Sequence, residues 1–134
     1  MQSELLHNST SVLVMDDNTE VRRVIRSNLE DKDTRVIEAA AGSEGVRMLD
    51  GGRVDLILVG FRLPDFKEWS ILSHIRAKES LRDTPIIVIC PEPPSNSLIR
   101  QFRPNDYVQA PFDIRDLLMR VRNLIGQNAV QYSQ

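Results

Sequence analysis

The chain has little of what marks several classes of protein. Its 134 residues include one cysteine, Cys90, which cannot form an internal disulfide and is typical of a reducing compartment. The two histidines, His7 and His74, lack the spacing of metal ligands. No apolar run approaches the length of a membrane helix, and the first residues lack the charged and apolar regions of a signal peptide. We therefore predict a cytoplasmic protein with no membrane contact.

Strong charge of either sign is also absent. The net charge is −2, whereas nucleic-acid-binding domains usually carry a strongly basic surface, so we expect no nucleic-acid partner. A hydrophobic fraction of 41% beside 27% charged residues is typical of a soluble globular domain, and the length suits a single one. We predict a domain over residues 11–126, preceded by a flexible lead-in over 1–10 and followed by a polar tail or linker stub over 127–134.

Five short apolar segments alternate with five segments of helical periodicity. The predicted strands cover residues 12–15, 35–39, 56–59, 86–89 and 106–108. The predicted N-caps of helices 1, 2, 4 and 5 are Thr19, Ser43, Ser95 and Asp113. A glycine after the last periodic residue predicts that the fifth helix ends at Gly126.

The segments at 12–15, 56–59 and 86–89 are apolar without interruption. Such runs are typical of strands that are buried on both faces, in the middle of a parallel sheet. The alternation of strands and helices predicts a parallel α/β sheet with right-handed crossovers and helices on both faces. In such sheets ligands bind at the carboxyl ends of the strands, and the third strand ends at Gly60. Glycine offers no chemical group at this position.

Two adjacent carboxylates, Asp16 and Asp17, follow the first strand and reach the same edge of the sheet. They are either ligands of Mg²⁺, which prefers oxygen donors, or an exposed pair beside the positive end of the next helix. Without a metal the pair repels phosphate. This excludes a flavin-mononucleotide protein whose first loop holds the phosphate group.

Four segments resemble the motifs of one family. They are VLVMDDN at 12–18, DLILVGFRLP at 55–64, PIIVIC at 85–90 and DYVQAPF at 106–112. In this order and spacing they resemble the receiver domain of bacterial response regulators, the CheY-like superfamily, over residues 10–125. The resemblance implies a flavodoxin-like (βα)5 three-layer sandwich with a five-stranded parallel sheet of order 2-1-3-4-5. It also implies a role in two-component (phosphorelay) signal transduction.

Most of the family's reactive positions are replaced in this sequence. Its phosphoacceptor aspartate falls at Gly60, its strand-4 hydroxyl at Cys90 and its lysine at Ala110. The switch aromatic and the proline turn are present, as Tyr107 and Pro111. An aspartyl phosphate needs a carboxylate nucleophile, which glycine lacks. The resemblance therefore implies a degenerate pseudo-receiver that is not phosphorylated at the usual position, has no catalytic residue and is not an enzyme.

The acid pair matches the family's Mg²⁺ site, although one carboxylate ligand is missing. We expect no cofactor, or Mg²⁺ held weakly by Asp16 and Asp17. For Arg62 two roles are predicted. It is either a metal ligand through its backbone carbonyl or an internal cation that replaces the missing lysine.

The expected mode of action is protein binding. The family docks its partners on the face formed by helix 4, strand 5 and helix 5, which here carries Arg100, Tyr107, Arg115 and Arg122. The partners implied are a histidine kinase, an output domain or another regulator. The same face would serve a homodimer.

Two other functions stay open. One is phosphotransfer to an unorthodox carboxylate, Asp16, Asp17 or Asp65, and the other is sensing of a metal or small ligand in the same pocket. Cys90 has no basic neighbour in the sequence and is interpreted as a buried structural thiol rather than a redox sensor. Trp69 is interpreted as a core residue rather than part of an exposed partner surface.

Overall fold

The computed structural model describes residues 9–67 and 69–133. Within them five β-strands and five α-helices alternate, with a short 3₁₀-helix at Glu79–Leu81 before the fourth strand. The strands are β1 Thr10–Met15, β2 Thr34–Ala39, β3 Leu56–Gly60, β4 Ile86–Cys90 and β5 Asp106–Gln109. The helices are α1 Thr19–Leu29, α2 Gly42–Asp50, α3 Ser70–Ala77, α4 Asn96–Phe102 and α5 Ile114–Ser133. None of these helices has the length and apolar character that would let it cross a membrane.

The five strands run parallel in one sheet, in the order β2-β1-β3-β4-β5. Every residue of β3 and β4 is buried, and so are the last four residues of β1. The strand order is the predicted one. The burial confirms the predicted central strands, because an uninterrupted apolar run has no solvent-facing side. The order reverses between β1 and β3. In open α/β sheets the carboxyl ends of the strands at such a reversal form the usual ligand crevice.

Side chains of β1 alternate between two apolar layers. Leu13 and Met15 pack in the layer that α2, α3 and α4 cover. Val12 and Val14 pack in the opposite layer, against α1 and α5. Each face of the sheet therefore has its own core, as expected for a strand whose successive side chains point to opposite faces.

Trp69 belongs to the first of these layers. It is 1% exposed, and its ring meets that of Phe102 edge to face with 6.2 Å between the centroids. This confirms the interpretation of Trp69 as a core residue. Its indole Nε1 has no hydrogen-bond partner among the described residues.

The predicted starts of α4 and α5 are confirmed. The hydroxyl of Ser95 and the carboxylate of Asp113 accept hydrogen bonds from amides in the first turns of these helices, at 3.1 and 2.8 Å. The predicted cap of α1 is wrong, because Thr19 is already helical and the cap is Asn18. The Asn18 Oδ1 accepts two amide hydrogen bonds, at 2.9 and 3.2 Å. Both residue types are common caps, so a local pattern cannot choose between neighbours.

The predicted cap of α2 is also wrong. The N-cap of this helix is Ala41, which has no side-chain acceptor, and Ser43 lies inside the first turn. The carboxylate of Asp65, in the connection between β3 and α3, accepts from the amides of Gly42 at 2.8 Å and Ser43 at 2.7 Å. A residue distant in the chain therefore supplies the cap.

The end of α5 differs from the prediction as well. The helix continues to Ser133, so Gly126 is an interior helical residue. Glycine ends a helix by adopting a left-handed backbone conformation, and none of the described glycines has a positive φ. The domain boundary at 126 stays a prediction. The predicted lead-in lies mostly outside the described residues, and His7 lies there too.

Candidate functional site

A cleft of about 600 Å³ opens at the carboxyl edge of the sheet. The segments that follow β1, β3, β4 and β5 form its walls, together with the first turns of α1 and α5. The predicted site residues that line it are Asp16, Asp17, Arg62, Cys90, Ala110 and Pro111. The structure therefore brings these six residues to one place.

The side chain of Asp16 lies over Gly60, the last residue of β3. A Cβ added to Gly60 would lie 2.3 Å from Oδ2 and 2.8 Å from Cγ of Asp16. Both distances are shorter than a van der Waals contact allows. The carboxylate of Asp16 thus occupies the volume that a side chain at position 60 would need.

Asp16 is 8% exposed, and its environment acts on its protonation in both directions. Burial raises the pKa of Asp16, and the adjacent charge of Asp17 raises it further. The amide of Asn18, which donates to Oδ1 at 2.8 Å, and the charge of Arg22 lower the pKa. The net direction is upward, so this carboxyl keeps its proton to a higher pH than an exposed aspartate does.

Sequence reasoning missed Arg22, the cation on the β2 side of the acid pair. Its Nη1 donates to the backbone carbonyl of Asp16 at 2.7 Å, and its Nε donates to Glu38 Oε1 at 3.0 Å. Arg26, one turn later on α1, donates to the other oxygen of Glu38 at 2.6 Å. Two arginines at i and i+4 beside a glutamate of the neighbouring strand are the signal that could have found this network.

Arg62, the cation that was predicted, also lines the cleft but is exposed. It forms no ion pair with Asp16 or Asp17 in this structure. Its role as an internal cation or as a carbonyl ligand stays a prediction.

Cys90 and Ala110, the residues predicted to replace the family's hydroxyl and lysine, are apolar. Cys90 is 2% exposed, and its thiol lies 3.6 Å from the carbonyl oxygen of Val108. Burial raises the pKa of the Cys90 thiol, which disfavours the reactive thiolate and supports the interpretation as a structural thiol. Ala110 is half-buried, and its peptide bond to Pro111 is cis.

Asp65 does not line the cleft. Its carboxylate is engaged at the start of α2, where the Ser43 hydroxyl and the amides of Ser43 and Gly42 lower its pKa. The structure therefore separates Asp65 from Asp16 and Asp17, the other two carboxylates considered as acceptors.

The predicted partner face exposes Arg100, Arg115 and Arg122, while Tyr107 is half-buried against the core. Sequence reasoning missed a charge network on the same face. Its centre is Arg120, which donates to both oxygens of Asp106 at 2.7 and 2.9 Å and to Asp116 at 3.2 Å. These ion pairs neutralise Arg120 internally. Of the three exposed arginines, Arg115 lies 3.6 Å from Asp113, whereas Arg100 and Arg122 form no ion pair with the residues that the structure describes.

The acid pair is an incomplete donor set for Mg²⁺. The described residues contain no group of three or more Asp, Glu, His or Cys side chains that could hold a metal ion. Asp16 Oδ1 already accepts the amide of Asn18, which leaves Oδ2 and the exposed carboxylate of Asp17. Two carboxylates with water suffice only for a weakly held ion when no phosphate adds ligands. Weak Mg²⁺ binding stays a prediction.

Comparison with known proteins shows which family the chain resembles. Residues 12–122 match the response regulator receiver domain. The chain is 30% identical over 120 residues to the transcriptional regulatory protein ResD of Bacillus subtilis (strain 168), covering 88% of this chain and 49% of that protein. It therefore spans about half the length of that regulator. It is also 28% identical over 116 residues to the chemotaxis protein CheY of Pseudomonas aeruginosa, covering 84% of this chain and 94% of that protein.

The fold comparison agrees. The structure of the chemotaxis response regulator CheY4 of Vibrio cholerae matches with a TM-score of 0.81 at 21% identity, over 87% of this chain and 99% of that one. Receiver domains in general bind Mg²⁺ at their phosphorylation site and interact with histidine kinases and output domains. Because the family match extends over most of its length, the chain belongs to the response regulator receiver domain family of two-component signalling.

Proposed function

We propose that this receiver domain acts by binding another signalling protein and is not phosphorylated at the usual position. The observation that carries the proposal is the pair formed by Gly60 and Asp16. The position at the end of β3 has no carboxylate, and the carboxyl of Asp16 fills the space above it. An acyl phosphate requires a free carboxylate oxygen that attacks phosphorus, and glycine supplies none.

The other carboxyl groups are poor substitutes. Asp16 is 8% exposed, and its Oδ1 already accepts the amide of Asn18. Asp65 is engaged at α2 and does not line the cleft. Asp17 is exposed. At position 110, where the family has a lysine, alanine offers no charge to stabilise a phosphoryl group.

Protein binding is the function that remains for this surface. The face formed by α4, β5 and α5 exposes Arg100, Arg115 and Arg122, which favours a partner with an acidic patch. A histidine kinase, an output domain or another regulator would suit, and a homodimer through this face stays an expectation.

The phosphorylation half of the proposal can be tested by intact mass. We expect no phosphoryl increment after incubation of the full chain with acetyl phosphate and Mg²⁺, and no mass change on later treatment with hydroxylamine. A family member that retains its aspartate serves as the positive control.

A stoichiometric, hydroxylamine-sensitive adduct on the wild-type chain would contradict the proposal. The Asp16→Asn, Asp17→Asn and Asp65→Asn variants would then identify the acceptor by which of them loses the adduct.

A further inference from the structure

From the geometry of the cleft we infer that it binds a small organic cation, a protonated amine carried on a compact apolar body. The ammonium group would lie at the acidic end, against Asp16 and Asp17, and the apolar body along the walls. This inference goes beyond the proposed function, because a ligand of this kind is bound without covalent chemistry and without a protein partner.

The charges that line the cleft favour a cation. Three carboxylates line it, from Asp16, Asp17 and Glu20, against the single guanidinium of Arg62. Glu20 meets the solvent-exposed Arg23 only at 3.9 Å, so that ion pair is weak. An anionic ligand would face repulsion at this end of the cleft.

One acceptor at the acidic end lacks a donor. Asp16 is more than nine-tenths buried, with 8% of its surface exposed. Its Oδ1 accepts from the amide of Asn18, whereas no N–H group of the described residues donates to Oδ2. A carboxylate oxygen that lines the cleft and accepts from no N–H group is a favourable partner for an ammonium group, because the hydrogen bond is charge-assisted.

The walls of the cleft favour an apolar body rather than a bare or hydrated metal ion. Its apolar lining includes Val21, Val24, Phe61, Ala110, Phe112 and Ile114. Val24 is 42% exposed and is one of two large hydrophobic side chains that are exposed among the described residues. A volume of about 600 Å³ lies within the range of small-molecule sites. An aryl or short alkyl group would remove these side chains from water, which a hydrated ion cannot do.

Phenethylamine is a suitable probe, since it is protonated at neutral pH and carries one aromatic ring. We expect a titration of the full chain, followed by amide NMR shifts, to perturb the residues around Asp17, Val21, Phe61 and Ala110. Binding should be at least about tenfold tighter than that of 2-phenylethanol or of methylamine, because each control lacks one half of the interaction. Mg²⁺ alone should shift only the amides at the acidic end.

Two variants locate the site. Ala110→Lys places a competing ammonium group in the cleft and should weaken phenethylamine binding by about tenfold or more. Asp17→Asn, on an exposed side chain, should weaken it in the same direction and covers the case in which the lysine variant does not fold. The matched control is Met119→Ser, which removes the other exposed large hydrophobic side chain and should leave binding unchanged.

Equal affinity for the amine and the alcohol would overturn the inference, and so would shifts spread over residues outside the cleft. Unchanged binding by a folded Ala110→Lys protein or by Asp17→Asn would do the same. A failure here leaves the phosphorylation result untouched, because that result depends on mass increments and not on ligand affinity.

Discussion

Gly60 has no side chain, and the carboxylate of Asp16 occupies the space that a side chain at position 60 would need. Gly60 does not need the conformational freedom of glycine, since no described glycine has a positive φ. Its lack of a side chain leaves space for the Asp16 carboxylate, because an added Cβ would lie 2.3 Å from Asp16 Oδ2. The two residues therefore form one packing unit across the ends of β1 and β3.

We expect Gly60→Ala to destabilise the fold by about 1 to 3 kcal/mol, the usual cost of overpacking. Asp16 has a short side chain, so it can escape only by rotating toward the cleft. The matched control is Gly52→Ala, where an added Cβ meets nothing within 4 Å. The difference between their free energies of unfolding in urea isolates the clash from the general effect of replacing glycine.

The double variant Asp16→Ala with Gly60→Ala should recover most of the loss, since the conflicting carboxylate is gone. If Gly60→Ala matches Gly52→Ala in stability, the steric coupling of positions 16 and 60 is refuted.

The start of α2 depends on a side chain from the connection between β3 and α3. Asp65 accepts two amide hydrogen bonds from the first turn of α2, where Ala41 offers no acceptor of its own. The carboxylate also lies at the positive end of the helix. The segment between β3 and α3 is thereby attached to α2.

We expect Asp65→Asn to lower the free energy of unfolding by about 1 kcal/mol at neutral pH, because asparagine keeps one acceptor oxygen and turns an NH₂ group toward the second backbone amide. The folded-state pKa of Asp65 is lowered, chiefly by the Ser43 hydroxyl. The stabilisation is therefore complete above the unfolded pKa and is lost as pH falls through the folded pKa. Denaturation curves of both proteins should converge in acid, starting below about pH 4.

Glu92→Gln is the control for this experiment, because Glu92 is exposed and its loss should not change stability at either pH. A constant difference between wild type and Asp65→Asn from neutral to acidic pH would argue against the cap.

The central strands and two of the helix caps could be predicted from the sequence, but the cap of α2 could not. The central strands could be predicted because 12–15, 56–59 and 86–89 are apolar without a break, and burial on both faces is the only arrangement that suits such runs. Local chemistry also predicted the caps Ser95 and Asp113. It could not predict Asp65, because that contact joins residues 22 and 23 positions apart and exists only after α2 and the β3–α3 connection meet.

The candidate site could be predicted only in part, because some of its contacts form only when segments distant in the chain meet. Strand ends placed Asp16, Gly60 and Cys90 at one edge of the sheet, since parallel strands share their carboxyl ends. The sequence could not show that Asp16 fills the space above Gly60, because that depends on a side-chain rotamer. Nor could it rank Arg22 above Arg62 as the neighbour of the acid pair, since Arg62 follows the end of β3 by two residues whereas Arg22 lies within α1.

Arg76 connects segments that are distant in the chain. It lies in the last turn of α3, and its guanidinium donates five hydrogen bonds of 2.5 to 3.4 Å. The acceptors are the carbonyls of Leu81, Arg82, Thr84 and Arg103 and the Oδ1 of Asn105. These groups precede β4 and β5, so one side chain aligns the starts of two strands.

We expect Arg76→Lys to lower the free energy of unfolding by about 1 to 3 kcal/mol. The reason is that a lysine ammonium group cannot reach the acceptors before β4 and those before β5 together, as the planar guanidinium does. The control is Arg82→Lys, at an exposed position, which should stay within about 0.5 kcal/mol of wild type. Urea denaturation measures both. Equal stability of the two variants would mean that water replaces the guanidinium without loss.

The packing of Asp16 over Gly60 also limits which substitutions the domain can accept at position 60. Introducing aspartate at position 60 by a single substitution would place a second side chain in the volume that the Asp16 carboxylate already fills. It would also bring another negative charge to a carboxyl whose pKa is already raised. A carboxylate at position 60 would therefore be reached through a less stable intermediate unless residue 16 changed first. In evolutionary terms the two positions are epistatic, because the effect of a substitution at position 60 depends on the residue at position 16.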